Sequence, residues 1–184
     1  ESYLYLEPIS ESNYYLKEQK FYGAKMARLL EWLSPSDELA DSEKRVEMRY
    51  FALSYKTHLA PEKFFELLVK KFKVPEGAVP RERIYIVQEN TLHFIWEWVK
   101  ACFRSDIYPD STLYSRISHF LGRIDKSEDC DASVKRTAKE LRYFLRECKK
   151  STRELLKDEL YITKYADAIK PLKSRADICS ISPE

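Results

Sequence analysis

The segment that decides the fold reads YFALSYKTHLAPEKFFELLVKKFKVP and runs from Tyr50 to Pro75. It predicts the end of one apolar helix, a short break, and a second helix that begins at Pro61. Proline suits the first helical position because its missing N–H would have no partner there and its φ angle is already helical. Glu62 near the start and the lysines near the end of this helix have the charges that the helix dipole favours. The segment therefore predicts a helical hairpin with a proline at its break.

Composition extends this prediction to the whole chain. The 184 residues include only 3 glycines, and their apolar positions recur with a helical rather than an alternating period. Lys and Arg number 32 and Asp and Glu number 30, so the formal net charge of +2 gives no overall attraction to nucleic acid. We expect an all-α protein: a multi-helix bundle with the Pro61 hairpin and one long C-terminal helix.

The length predicts one domain with a tail. We assign residues 1–13 to an extended N-terminal segment, 14–126 to a helical core, 127–162 to a long basic helix that packs on the core, and 163–184 to a tail or linker. Within the core we expect helices over about 14–33, 42–55, 61–73, 83–103 and 112–124. The helix over 83–103 is apolar on two sides, which is typical of an element that lies between neighbours.

The long helix has a seam of mostly apolar residues at the a and d positions of a heptad repeat. One series comprises Val134, Leu141, Cys148, Leu155 and Ile162, and the other comprises Ala138, Leu145 and Thr152. Two interpretations follow: an antiparallel partner inside the same domain, or a homodimeric coiled coil. From Val134 to Lys157 the helix also carries nine basic residues against three glutamates. We single out Arg142, Arg146, Lys149 and Arg153 as a candidate interaction face.

Signatures of catalysis are not found. The four cysteines are far apart, the histidines His58, His93 and His119 are isolated, and there is no Gly-rich phosphate loop. We therefore predict no catalytic, cofactor-binding or metal-binding residue, and no enzyme activity in this chain. No apolar run approaches the ~20 residues of a membrane span. We expect a cytoplasmic protein that is recruited to membranes at most peripherally, and, because the chain begins at Glu1, one excerpted from a longer protein.

The hairpin segment resembles the Ras exchanger motif, the N-terminal domain of Ras-family guanine-nucleotide exchange factors. In that family a helix ends in a Phe-Leu-Leu-Thr-Tyr-Arg-Thr-Phe-like run, and a Ser/Thr-Pro step opens the next helix. Residues 51–57 and 61–72 match these two parts with the same spacing. Residues 25–33, 92–99 and 113–121 resemble three further family helices in the expected order, so the resemblance covers about residues 20–125. His58 and Ala60 depart from the pattern, and Ala60 forgoes a helix cap worth about 1 kcal/mol.

The resemblance implies a non-catalytic regulatory domain for small-GTPase signalling. Its partners would be the catalytic exchange domain of the same parent protein and, in some members, a Ras-family GTPase. The short segment 177–184 is similar to the lead-in to such a catalytic domain. The residues that carry the family signature would be structural: Phe51, Tyr55, Pro61, Phe64, Phe65, Leu68, Trp98 and Phe120. No GTPase-binding residue carries over.

Two alternatives are independent of the resemblance. In the first, the chain is a helical adaptor whose basic face over 134–157 binds an acidic partner or an anionic membrane. In the second, the long helix makes it a coiled-coil dimerisation module.

Overall fold

The computed structural model describes residues 14–17, 20–24, 26–34 and 38–168. These residues form one β-hairpin and six α-helices, with two short 3₁₀ turns over 55–57 and 81–83 and one π-helical turn over 103–107. The elements are β1 (Tyr14–Lys17), β2 (Lys20–Ala24), α1 (Met26–Leu33), α2 (Ser42–Ser54), α3 (Pro61–Phe72), α4 (Ile84–Cys102), α5 (Ser111–Lys126) and α6 (Ala132–Ala168). The prediction of an all-α bundle with a proline-broken hairpin and a long C-terminal helix is confirmed.

The predicted helix over 14–33 is wrong in its first half. Strands β1 and β2 pair antiparallel, with Tyr14 opposite Ala24 and Lys17 opposite Lys20, and the helix begins only at Met26. The physical reason is local: this stretch is rich in aromatic residues, which favour strands, and Gly23 is a poor helix former. The extended segment predicted for residues 1–13 lies outside the described residues.

The hairpin of α2 and α3 forms as predicted. Asp41 caps α2, because its Oδ1 accepts a hydrogen bond of 2.8 Å from the N–H of Lys44. Helix α2 tightens into the 3₁₀ turn at its end. Ala60 then adopts an extended conformation and Pro61 takes the first position of α3, where no side chain caps the helix.

Helix α4 is the central element of the bundle. It packs against both hairpin helices, and residues on two sides of it are buried, including Val87, Leu92, Ile95 and Trp98. This arrangement confirms the expectation that a helix with two apolar stripes lies between neighbours. The core around α4 therefore fixes the orientation of α2 and α3.

Helices α5 and α6 follow on the C-terminal side. Asp110 caps α5 by accepting hydrogen bonds from the N–H groups of Thr112 and Leu113, at 2.8 and 3.0 Å. The first four seam residues of α6 are fully buried in the core: Val134, Ala138, Leu141 and Leu145. This is the intradomain arrangement that one interpretation of the seam predicts. Further along, Leu155 is 48% exposed.

The chain divides into two compact units, Glu1–Cys148 and Lys149–Glu184. The packing described above lies in the first unit. Helix α6 extends to Ala168, beyond the predicted end at 162, and the rest of the predicted tail lies outside the described residues. Within the described part of the chain, no helix combines the length and the apolar character needed to cross a membrane.

Candidate functional site

Six of the eight residues that carry the resemblance, together with Phe94, form one largely buried cluster around Trp98. The indole ring lies edge-on to Phe64, with ring centroids 5.1 Å apart, and edge-on to Tyr55 at 6.0 Å. Tyr55 and Phe64 stack at 4.4 Å, which joins the end of α2 directly to the first turns of α3. We define the aromatic cluster as Phe51, Tyr55, Phe64, Phe65, Leu68, Phe94 and Trp98.

The structure thus brings together six of the eight predicted signature side chains, and it places the other two at the margins. Pro61 opens α3 as expected. Phe120 of α5 is partly buried and lies edge-on to Phe65 at 5.8 Å and to Phe72 at 5.2 Å. Aromatic pairs in such geometries stabilise a fold beyond the area they bury. The cluster therefore holds the hairpin in one orientation against α4.

A buried polar network lies beside the aromatic cluster and was not predicted. The Tyr55 hydroxyl donates to Oδ2 of Asp106 at 2.5 Å, and the Lys56 ammonium forms an ion pair with Oδ1 of the same carboxylate. Ser105 also donates to Oδ1, at 2.5 Å. Asp106 is 4% exposed, so these donors replace the water that its charge loses on burial.

The π-helical turn over 103–107 positions this carboxylate. Its hydrogen bond runs from the N–H of Tyr108 to the carbonyl of Phe103 at 2.8 Å. The wider turn interrupts the α-helical register at the end of α4, as π turns do. The hairpin break and the end of α4 are consequently joined by two side chains from consecutive positions, Tyr55 and Lys56.

The network shifts two pKa values in opposite directions. Burial by itself would raise the pKa of Asp106, but the hydrogen bonds from Lys56, Ser105 and Tyr55 outweigh it and hold the pKa below its usual range. Burial and the adjacent Asp106 raise the pKa of Tyr55 far above that of a free phenol. Asp106 is thus the charged member of the network and Tyr55 the neutral donor.

Cys102 belongs to the same region. Its thiol donates to the carbonyl of Ala52 at 3.0 Å, and burial raises its pKa to about 11. A thiol with a raised pKa is a poor nucleophile at neutral pH, so Cys102 is a structural residue.

A second polar stripe joins α2 to α4. Arg49 binds the buried carboxylate of Glu97 through Nε and Nη2, both at 2.7 Å, and Lys100 binds it at 2.9 Å. Arg45 lies 3.0 Å from Nε2 of His93, whose pKa is lowered by burial and by this guanidinium. The isolated histidine is thus a packed structural residue.

A third polar contact joins α1 to α3. Lys71 is 1% exposed, and burial lowers its pKa, while the charge of Glu31 opposes the shift. In the sequence Lys71 is one of the lysines near the end of α3, whose charges the helix dipole favours. Lys71 follows Phe64 by seven residues and Leu68 by three, so helical spacing places it on the buried face of α3, whereas Lys70 is exposed.

A groove about 570 Å³ in volume runs between α3 and α5. We call it the α3–α5 groove. Its apolar wall consists of Phe65, Val69, Phe72, Phe120 and Ile124, and its charged residues are Glu66, Lys70, Lys73, Arg116 and Arg123. His119, Ser127 and Cys130 complete the lining. A sequence signal for it existed: Arg116 and Arg123 are seven apart, with His119 between them, and so share one face of α5.

Glu66 is the one acidic residue of this lining, and it is paired. Its carboxylate lies 2.9 Å from Lys63 and 3.3 Å from Arg116. Those two cations hold the pKa of Glu66 below its usual range. The Arg116 guanidinium also lies 5.8 Å from the centre of the Phe65 ring, so Arg116 interacts both with the charged Glu66 and with the apolar wall of the groove.

The predicted basic face of α6 is divided by the structure. In the first unit Arg146 is exposed, but Arg142 is half-buried and its guanidinium packs over Gly122 of α5. A β-carbon at Gly122 would lie only 3.2 Å from Cζ of Arg142. Both arginines lie close enough to Tyr114 to oppose the rise in its pKa that burial causes. In the second unit Lys149 and Arg153 are exposed.

The described residues contain no group of three or more His, Cys, Asp or Glu side chains placed to bind a metal ion. No protein-family model matches this chain, and a search of curated proteins gives no match.

Proposed function

We propose that this chain is a non-catalytic regulatory domain of a Ras-family guanine-nucleotide exchange factor and supports the catalytic exchange domain of its parent protein. One observation carries the proposal. The residues that produce the sequence resemblance are the residues that pack the α2–α3 hairpin onto α4, rather than a scattered set.

The polar network adds support. Tyr55 and Lys56 lie in the segment that resembles the family run, and both bind Asp106. The hairpin is held by the aromatic cluster on one side and, on the other, by the hydrogen bond and ion pair that Tyr55 and Lys56 make with the buried carboxylate of Asp106, so we infer that it is a rigid element. Rigid elements serve well as supports for a neighbouring domain, because little ordering entropy is lost when the neighbour binds.

The burial of the signature residues also fits a structural role for them. Tyr55, Phe64 and Trp98 are fully buried, so they act on a partner only by shaping the surface above them. The chemistry of nucleotide exchange would reside in the catalytic domain of the parent protein.

Release of a fluorescent guanine nucleotide from a panel of Ras-family GTPases tests the proposal. Residues 1–184 alone should not accelerate release. Added to the isolated catalytic domain of a Ras-family exchange factor, they should bind it and accelerate release from its GTPase. Strong acceleration by residues 1–184 alone, or neither binding nor stimulation with any catalytic domain tested, contradicts the proposal.

The control is a surface variant that leaves the fold intact. Tyr143 is 65% exposed on α6, so Tyr143→Ser should keep the circular-dichroism spectrum and unfolding midpoint of the parent chain. Unchanged stimulation by this variant would show that stimulation does not depend on the exposed Tyr143 side chain.

A further inference from the structure

We propose that the α3–α5 groove is a docking site for an acidic amphipathic helix of a partner protein. The inference stands on the groove itself and holds whether or not the chain supports nucleotide exchange. It begins with the charges of the lining. Four cations are present against one carboxylate, and that carboxylate already binds Lys63 and Arg116.

The cations lie on both sides of the groove. Lys70 and Lys73 extend from the end of α3, and Arg116 and Arg123 extend from α5, and all four are exposed. A ligand between the two helices therefore meets positive charge along both edges. Charge complementarity of this kind selects a partner whose flanks are acidic.

The floor of the groove is apolar and recessed. Phe65 and Phe72 are 2% and 6% exposed, and Phe120 is partly buried between them. Their ring faces and edges leave a depression rather than a projection. An apolar side chain that enters from above would lose its contact with water and cover the exposed parts of Val69 and Phe120, which are only partly buried.

The dimensions fit one helix. The lining runs from Phe65 to Lys73 on the α3 side and from Arg116 to Ser127 on the α5 side, so the groove extends for about 12 to 17 Å at a rise of ~1.5 Å per residue. Two to three turns of a partner helix span this length, and such a helix presents apolar side chains at i, i+3 or i+4, and i+7 on one face. Those side chains would lie over the floor, and acidic residues beside them would face the two cationic edges.

The same geometry disfavours a lipid bilayer as the occupant. A peripheral protein inserts apolar side chains that project from its surface. The groove has its cations outermost and its apolar residues below them. The large apolar side chains that the described part of the chain exposes lie elsewhere, for example Tyr50 and Leu53 on α2.

The test uses a fluorescein-labelled synthetic helix of about 15 residues, with Leu at i, i+4 and i+7 and Glu on its flanks. Fluorescence anisotropy should show saturable binding to the full chain, weakened by added salt. The double variant Lys70→Glu/Arg123→Glu should weaken binding at least about tenfold, because it reverses one charge on each edge. It leaves the Arg116–Glu66 pair in place.

A matched variant separates local charge from net charge. Arg136→Glu/Lys139→Glu makes the same change in net charge at two exposed positions of α6 and should alter binding less than about twofold. Unfolding midpoints and circular dichroism establish that both variants are folded. A peptide with Lys in place of Glu should not bind.

Cys130 gives a direct reading of the binding position, because it lines the groove and is a free, partly buried thiol. Bound acidic peptide should slow alkylation of Cys130 by iodoacetamide at least about fivefold and leave the alkylation rate of Cys148 unchanged, as measured by mass spectrometry of tryptic peptides.

The proposal is overturned if the acidic peptide does not bind, if it binds both double variants equally, or if Cys130 is not protected. It is also overturned if only phosphatidylserine vesicles bind and the acidic peptide does not.

Discussion

The hydroxyl of Tyr55 donates a hydrogen bond to Oδ2 of Asp106 at 2.5 Å, between residues that are 51 positions apart. This bond joins the end of the first hairpin helix to the turn that follows α4. Lys56 binds the other oxygen of the same carboxylate. The break in the hairpin is therefore fixed by a charged group from a distant part of the chain, and its stability should depend on that group.

Tyr55→Phe should lower the free energy of unfolding by about 1.5 to 3 kcal/mol. The change keeps the ring and its stacking on Phe64 but removes a donor to a buried charge, which is the costly part of the change. Urea denaturation followed by circular dichroism measures the loss. Tyr50→Phe is the control, because Tyr50 is 68% exposed and its change should cost less than about 0.5 kcal/mol. A Tyr55→Phe protein as stable as the parent would show that the bond contributes nothing.

Acid should weaken the fold partly through Asp106. Its pKa is lower in the folded protein than the ordinary value of 3.8, so the unfolded chain binds more protons between those two values. Stability from this group is therefore fully present above pH 3.8 and is lost as the pH falls through the folded pKa. Asp106→Asn should be less stable at neutral pH and should show a shallower decline in stability below pH 4.

Unfolding free energies from urea titrations between pH 7 and pH 2.5 measure that decline. Glu66→Gln is the matched control, since the pKa of Glu66 is also held low but its side chain is 39% exposed. Screening by water makes its effect on the decline smaller than that of Asp106. Equal effects of the two variants would contradict the assignment of the acid response to the buried network.

Ala60→Ser should stabilise the chain by about 1 kcal/mol. Ala60 already has the extended conformation of a helix N-cap, with φ −70° and ψ 151°, but its side chain cannot accept a hydrogen bond. A serine hydroxyl would accept one from the first turn of α3. Thermal and urea unfolding measure the gain, and Ala60→Val, which adds bulk without an acceptor, should give none. The prediction fails if serine and valine behave alike.

Gly122→Ala should reveal the packing of Arg142 on α5. Alanine favours the helix over glycine by about 1 kcal/mol, but its β-carbon would lie 3.2 Å from the Arg142 guanidinium and push it away. We expect a gain of less than about 1 kcal/mol in the parent chain and the full gain of about 1 kcal/mol in an Arg142→Ala background. A double-mutant cycle of unfolding free energies measures the difference. The same gain in both backgrounds would mean that the two residues do not interact.

The sequence by itself determined the elements whose signals are local. Pro61 opened α3, helical spacing placed Phe64, Phe65 and Leu68 on one face, and two apolar stripes marked α4 as the central helix. These features depend on backbone geometry and residue spacing within a few turns. Where local signals conflicted, as in β1 and β2, the helical period of the apolar residues gave a wrong prediction, because the strand propensity of the aromatic residues had the larger effect.

Only the tertiary structure decided which polar residues are buried and paired. Nothing near Asp106 or Glu97 in the sequence distinguishes them from solvated charges, because Tyr55, Lys56 and Arg49, which bind them, are distant in the chain. The same holds for the packing of the Arg142 guanidinium on Gly122 and for the α3–α5 groove. Both depend on how α5 lies beside its neighbours. Helix formation is governed by contacts between residues that are close in the chain, whereas burial and charge pairing are set by contacts between residues that are distant in it.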